Sequence, residues 1–177
     1  MIKIYFEAHS TTIDNETKKA SGWNDVDLSE LGLKQSQELK ERYLNIHIDA
    51  IFPSDLQRAV KTAVPLASLN HIPVYPDARL RECNYGDLTQ APKDEVESQK
   101  PHRINTPFPN GESYQDCMDR MGDFLNWLKE NFDGKVVLII GSRATHFGLD
   151  HHINGMSIED VVSQKFAWQP GWEYELK

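Results

Sequence analysis

The chain has 177 residues, with 19 Lys and Arg against 27 Asp and Glu, a formal charge of −8 with histidine neutral. A hydrophobic share of 39% with 10% aromatic residues excludes a disordered, collagen-like or low-complexity chain, while a mean hydropathy of −0.58 marks a well-solvated exterior. The acidic balance and a pI of about 5.3 argue against non-specific nucleic-acid binding, which rests on phosphate neutralisation by Lys and Arg, but leave room for a local cationic pocket.

The amino terminus, MIKIYFEAH, is too short an apolar stretch for a secretory leader and has no small-residue cleavage site. Ile2 to Phe6 instead reads as a strand ending abruptly at Glu7-Ala8-His9. Leu31, Leu39, Tyr43 and Leu44 mark a helix that Ser29 caps. A second apolar run, Ala50 to Phe52, stops at Pro53-Ser54-Asp55, and Leu56, Ala59, Val60, Ala63 and Ala67 then mark a helix that Pro65 should kink or interrupt. From Ala91 to Asn110 the chain is rich in Pro and charge, the one long irregular stretch, as lids and binding loops are.

The clearest helix lies near residues 114 to 132, where Cys117, Met121, Phe124, Leu125, Leu128 and Phe132 keep steps of three and four. Ser113 with Asp116 gives its start and Asp133-Gly134 its stop. Val136 to Ile140 is a third apolar run, ending at Gly141-Ser142-Arg143. Helices near 144 to 153 and after Ser157 follow, and Trp172 to Leu176 alternates like a terminal strand. Trp168, Trp172 and Tyr174 are expected to pack that strand against the core.

Apolar runs of this kind belong to strands buried on both faces, so the expected fold class is α/β, one domain over residues 1–177 with a mostly parallel sheet covered by helices. No run approaches the roughly 20 apolar residues of a membrane helix. The expectation is a soluble, cytoplasmic protein with neither membrane nor nucleic acid as partner. Cys83 and Cys117 stand 34 positions apart without a CxxC pair, and read as reduced structural thiols. His146, Asp150 and His151 have the spacing of ligands on one helix face but no third distant ligand, so neither a metal nor a cofactor is expected.

Ligands of open α/β sheets sit beyond the carboxyl ends of the strands, so His9, Ser54 to Arg58, and Ser142 with Arg143 should converge. An imidazole can attack phosphorus, arginine binds phosphate oxygens bidentately, and helix N-termini present N–H groups to anions. That set suits metal-free phosphoryl transfer.

Six ordered motifs then resemble the histidine phosphatase superfamily, the phosphoglycerate mutase-like group, in its short phosphatase branch. They are IYFEAHSTTIDNE, DLSELGLKQSQEL, FPSDLQRAVKTA, LRECNYGDL, PNGESY and VVLIIGSRATH. The resemblance implies a three-layer α/β/α fold and a reaction through a phosphohistidine. It assigns nucleophilic attack to His9, phosphate binding to Arg58, and proton donation to Glu82. Ser10 and Arg143 complete the expected phosphate contacts.

Two positions depart from the family pattern: the arginine beside the nucleophile is Ala8, and the second active-site histidine is Ser142. Arg143 is the substitute cation nearest to hand. The bland alternatives are Arg58 paired with Asp55 on an exposed helix, Glu82 paired with Arg79 or Arg81, Arg143 at the surface, and His146 in the core or at the surface. The leading expectation is a phosphomonoesterase for a small phosphorylated metabolite; the alternatives are a binding-only pseudophosphatase, which Ser142 favours, and a phosphoglycerate mutase.

Overall fold

The three expected apolar runs form three parallel strands in a four-stranded sheet, in a computed structural model that describes residues 1–165 and 167–177. Strand β1 spans Ile2–Ala8, β2 Ala50–Pro53, β3 Val136–Gly141 and β4 Trp172–Leu176. Their spatial order is β2-β3-β1-β4, with β4 antiparallel on the edge of β1. The helices are α1 (Ile13–Glu16), α2 (Glu30–Tyr43), α3 (Gln57–Asn70), α4 (Lys93–Gln99), α5 (Tyr114–Asn131), α6 (Arg143–Asn154) and α7 (Ile158–Ser163).

Alternation along the strands builds the layers. Ile2, Ile4 and Phe6 of β1 pack with Val137 and Ile139 of β3 against Phe124 and Leu128 of α5 and Leu149 of α6. The opposite face carries Ile51, Leu138 and Ile140 against Leu39 and Tyr43 of α2 and Ala63 and Leu66 of α3. Phe6, Phe52 and Phe124 are wholly buried, and burying an aromatic side chain of this size stabilises the fold by about 1.5–3 kcal/mol. The α/β/α sandwich therefore follows from period-2 strands covered on both faces.

Ser29 caps α2 through Gly32 N, and Ser113 and Asp116 form the reciprocal box that starts α5. Three local expectations are corrected. Helix α3 runs unbroken through Pro65, because Ala59, Ala63 and Leu66 anchor both of its halves to the sheet. In α2 only Leu39 and Tyr43 reach the core, while Leu31 and Leu44 are exposed. The stretch from 91 to 110 is not irregular throughout: it folds α4 and a short 3-10 turn, Lys100–His102, pinned by Val96 and Phe108 in a satellite cluster with Tyr85, Tyr114 and Phe147.

Among the described residues no helix is long and apolar enough to cross a membrane.

Candidate active site

The register aligns Ala8 with Gly141 and Pro53 with Ile140, so the three parallel strands end almost level. After β1 the chain turns to α2 on one face, and after β3 it turns to α6 on the other. Adjacent strands whose helices diverge in this way leave a crevice at their carboxyl ends. A cavity of about 500 Å³ occupies it, and His9, Ser10, Arg58, Glu82, Ser142 and Arg143 all line its wall. The six expected catalytic and phosphate-binding residues are brought together, but of the segment Ser54 to Arg58, also expected to converge, only Arg58 reaches the wall.

His9 extends β1 by one rung, its N–H donating to Gly141 O at 2.8 Å. Its Nδ1 lies 2.8 Å from Ser10 O. A carbonyl only accepts, so Nδ1 carries the proton and Nε2 keeps the lone pair. Burial, reinforced by the Arg58 charge, depresses the His9 pKa to about 3. The imidazole is therefore neutral at physiological pH.

Arg58, in the first turn of α3, is 1% exposed. Its guanidinium donates to Asn24 O at 2.9 Å and Gly22 O at 2.7 Å, and Nε has no partner. It does not pair with Asp55, which binds Arg81 instead. A buried cation held by two carbonyls, with no carboxylate in contact among the described residues, is arranged to accept an anion.

Glu82 pairs with neither Arg79 nor Arg81. Its Oε1 accepts from Cys83 N at 2.8 Å and Ala144 N at 3.3 Å, and Oε2 accepts from Arg143 N at 3.2 Å. The carboxyl thus sits on the N-terminus of α6, where backbone donors point at anions. Ser142 is the N-cap residue of that helix, its N–H donating to Thr145 Oγ1 at 2.9 Å while its own Oγ is buried without a partner.

The Arg143 side chain turns toward α4 and the segment beyond α7. It donates to Glu97 Oε1 and to Gln164 O, each at 2.9 Å. Lys100 donates to the same Glu97 oxygen at 2.8 Å. Burial works to raise the Glu97 pKa, but Lys100 and Arg143 hold it below the usual carboxylate range.

Among the cavity residues that sequence reasoning did not single out are Glu7 and Arg42, and it misplaced Trp168. Glu7, 1% exposed, accepts from Arg42 at 3.0 Å, and burial lifts its pKa. Glu7 precedes His9 by two positions and so shares its face of the strand, a signal available from period 2 alone. Trp168 is 61% exposed on the cavity rim, whereas Trp172 and Tyr174 pack inward as expected. His146 is partly buried at the edge of the core, stacked on Phe6 at 5.3 Å and beside Asp150, outside the wall of this cavity. Buried polar atoms normally find partners. Among the described residues, Glu7, Arg42, Arg58 and Ser142 of this cavity each carry a buried atom that does not, as do Ser54 and Tyr114 outside it.

The profile of the histidine phosphatase superfamily (branch 1) matches residues 4–167. A probable phosphoglycerate mutase, GpmB, of Yersinia pestis (strain Pestoides F) is 28% identical over 99% of this chain and 92% of its own length. Bacillus stearothermophilus YhfR superposes with a TM-score of 0.85 at 25% identity, covering 96% of this chain and 88% of that one. A mycobacterial glucosyl-3-phosphoglycerate phosphatase in complex with VO3 shares the fold with a TM-score of 0.81 at 23% identity, over 92% and 87% of the two chains.

Proposed function

The chain belongs to the histidine phosphatase superfamily, branch 1, and from that premise we propose that it hydrolyses a small, soluble phosphate monoester in the cytoplasm through a phosphohistidine at His9. The observation that carries this reading is the His9 Nδ1 to Ser10 O hydrogen bond, which leaves the Nε2 lone pair on a neutral imidazole in the cavity wall. Nε2 attacks phosphorus. Arg58, whose Nε is unpaired, holds the phosphoryl oxygens. Oε2 of Glu82 accepts only one long hydrogen bond, so it has a lone pair to carry the proton that the leaving oxygen takes. Water then attacks the phosphohistidine, giving its proton to Glu82 and releasing phosphate.

A second reading, binding of a phosphorylated ligand without turnover, draws on Ala8, on Ser142, and on an Arg143 side chain committed to Glu97. The mutase reading draws on the name of the Yersinia relative. One experiment separates the three: turnover of a panel of phosphomonoesters, with acid-quenched protein probed for acid-labile phosphate. Released phosphate with label on His9 supports hydrolysis, phosphoryl transfer within the substrate supports the mutase, and tight binding without either supports the binder.

A further inference from the structure

Cys83 and Cys117, distant in sequence, meet in space. Both are fully buried, 0% and 1% exposed, and their sulfurs and the Glu112 carboxylate all lie within 4.8 Å of one another. The surroundings are built rather than incidental. Arg120 donates to Glu112 Oε1 at 2.9 Å and to Oε2 at 3.2 Å, and its NH2 lies 3.4 Å from Cys117 Sγ. The same guanidinium donates to Arg79 O and to Glu82 O, at 2.6 and 3.1 Å. A metal ion fits this set poorly, because Arg120 already occupies the place of the cation.

We propose that Cys83 and Cys117 form an oxidisable dithiol that closes to a disulfide in the presence of a peroxide. Two sulfurs within 4.8 Å must still approach to reach bonding distance, and the bond would join the segment carrying Glu82 to α5. The step balances with hydrogen peroxide as oxidant. Cys117 Sγ, passing its proton to the Glu112 Oε2 that it faces at 3.7 Å, attacks one peroxide oxygen and becomes a sulfenic acid as hydroxide leaves and takes up that proton. Cys83 then attacks that sulfur, the S–S bond forms, and water departs with the hydroxyl. Two thiols lose two electrons and two protons, and one peroxide becomes two waters. Cys83 suits the resolving role, since the hydrogen bond with Cys117 and then burial hold its thiol well above its ordinary range, so it stays protonated until the first sulfur is oxidised.

The link to the site is short. Cys83 N donates to Glu82 Oε1, so drawing Cys83 toward α5 moves the carboxyl that sits on the start of α6. The disulfide is therefore expected to lower turnover reversibly, an effect that rests on the proposed hydrolase reading; the chemistry of the sulfurs does not.

The folded wild-type protein is treated with hydrogen peroxide, alkylated, and weighed intact and after proteolysis. The expected result is a species lighter by two hydrogens that resists alkylation, yields a crosslinked peptide containing Cys83 and Cys117, and reverts with dithiothreitol. Cys83→Ser should give an oxygenated Cys117 in place of the crosslink. A mass gain in the wild-type protein without crosslink, or two thiols unaltered until denaturant is added, overturns the proposal. Activity on phenyl phosphate, followed in parallel, should fall about tenfold and return on reduction. No turnover before oxidation would count against the hydrolase reading alone, because the crosslink is read by mass.

Discussion

His9 and Arg58 line one cavity, and after burial it is the guanidinium that keeps the imidazole uncharged, with a pKa near 3 in place of 6.5. The relationship is useful to a nucleophile, since a protonated imidazole has no lone pair to offer. It predicts that the acid limb of kcat/KM does not titrate with a histidine-like pKa. Above pH 4 the enzyme should respond instead to ionisation of the substrate's phosphate, with a pKa near 6. Substrates of different phosphate pKa should shift that limb in parallel. An acid limb fixed near 6.5 for every substrate would contradict a neutral His9.

The same depression makes a stability prediction, and its sign is set by which state takes up the proton. Between pH 6.5 and about 3 the unfolded chain protonates His9 while the folded chain does not, so falling pH favours unfolding. At pH 5 the contribution is at most about 2 kcal/mol, at 1.36 kcal/mol for each pKa unit. Thermal melts of the parent and of His9→Ala should diverge below pH 6.5, the variant losing less stability. Parallel curves down to pH 4 would contradict the depressed pKa.

Arg58→Ala should weaken inhibition by vanadate or phosphate by about 10- to 100-fold, the loss of one or two charge-assisted hydrogen bonds. It also leaves the Gly22 and Asn24 carbonyls without their donor, at about 1–3 kcal/mol of stability, readable in urea titrations. Arg58→Lys should recover little of either. An ammonium offers no planar fork that can hold two carbonyls while presenting an N–H to the ligand. Unchanged anion affinity in the alanine variant would remove Arg58 from the site.

Glu82→Gln separates proton donation from helix capping. The amide keeps one oxygen to accept from Cys83 N and Ala144 N, gives up the long bond from Arg143 N, and cannot supply a carboxylic proton. Alkyl esters, whose leaving oxygen needs that proton, should lose about 100-fold or more in kcat. p-Nitrophenyl phosphate should lose much less, because its leaving group departs as an anion. Equal losses for both ester types would assign Glu82 a structural role on α6 only.

The strands and their meeting point are legible in sequence because each apolar run stops abruptly at polar residues, and a strand buried on both faces has no other way to end at a site. The packing of α2 was less legible. Leu31 and Leu39 fit the same helical stripe, but only the second faces the sheet, and periodicity cannot say how far a core extends. Helix α4 was hidden because KDEVESQ has one apolar side chain, Val96, and it buries that residue in the satellite cluster instead of the main core. The Glu7 and Arg42 pair joins two elements 35 positions apart, and nothing local to either residue signals a partner at that distance. Arg143 was expected at the phosphate, but Glu97 turns its side chain aside, a competition that depends on the same unrecognised helix.

Ser142 marks the sharpest departure from the family pattern, and its surroundings make the reversal testable. Ser142 lines the cavity at the start of α6, and the Thr145 Oγ1 that accepts from Ser142 N remains in place when the side chain is replaced. Ser142→His puts a side chain able to carry positive charge beside the oxygens that gain negative charge in the transition state, while Arg58 and the α6 N–H groups stay where they are. One preorganised donor is worth roughly 10²–10³ in rate where geometry is ideal. A gain of about 10-fold in kcat on phenyl phosphate is the expected minimum for an imidazole that must find its own rotamer. Adding His9→Ala should abolish both the gain and the acid-labile phosphoenzyme. A Ser142→His protein with the parent's melting temperature and no increase in turnover on any ester would favour the binding-only reading, with Ala8 and Ser142 as parts of a site shaped to hold a phosphorylated ligand.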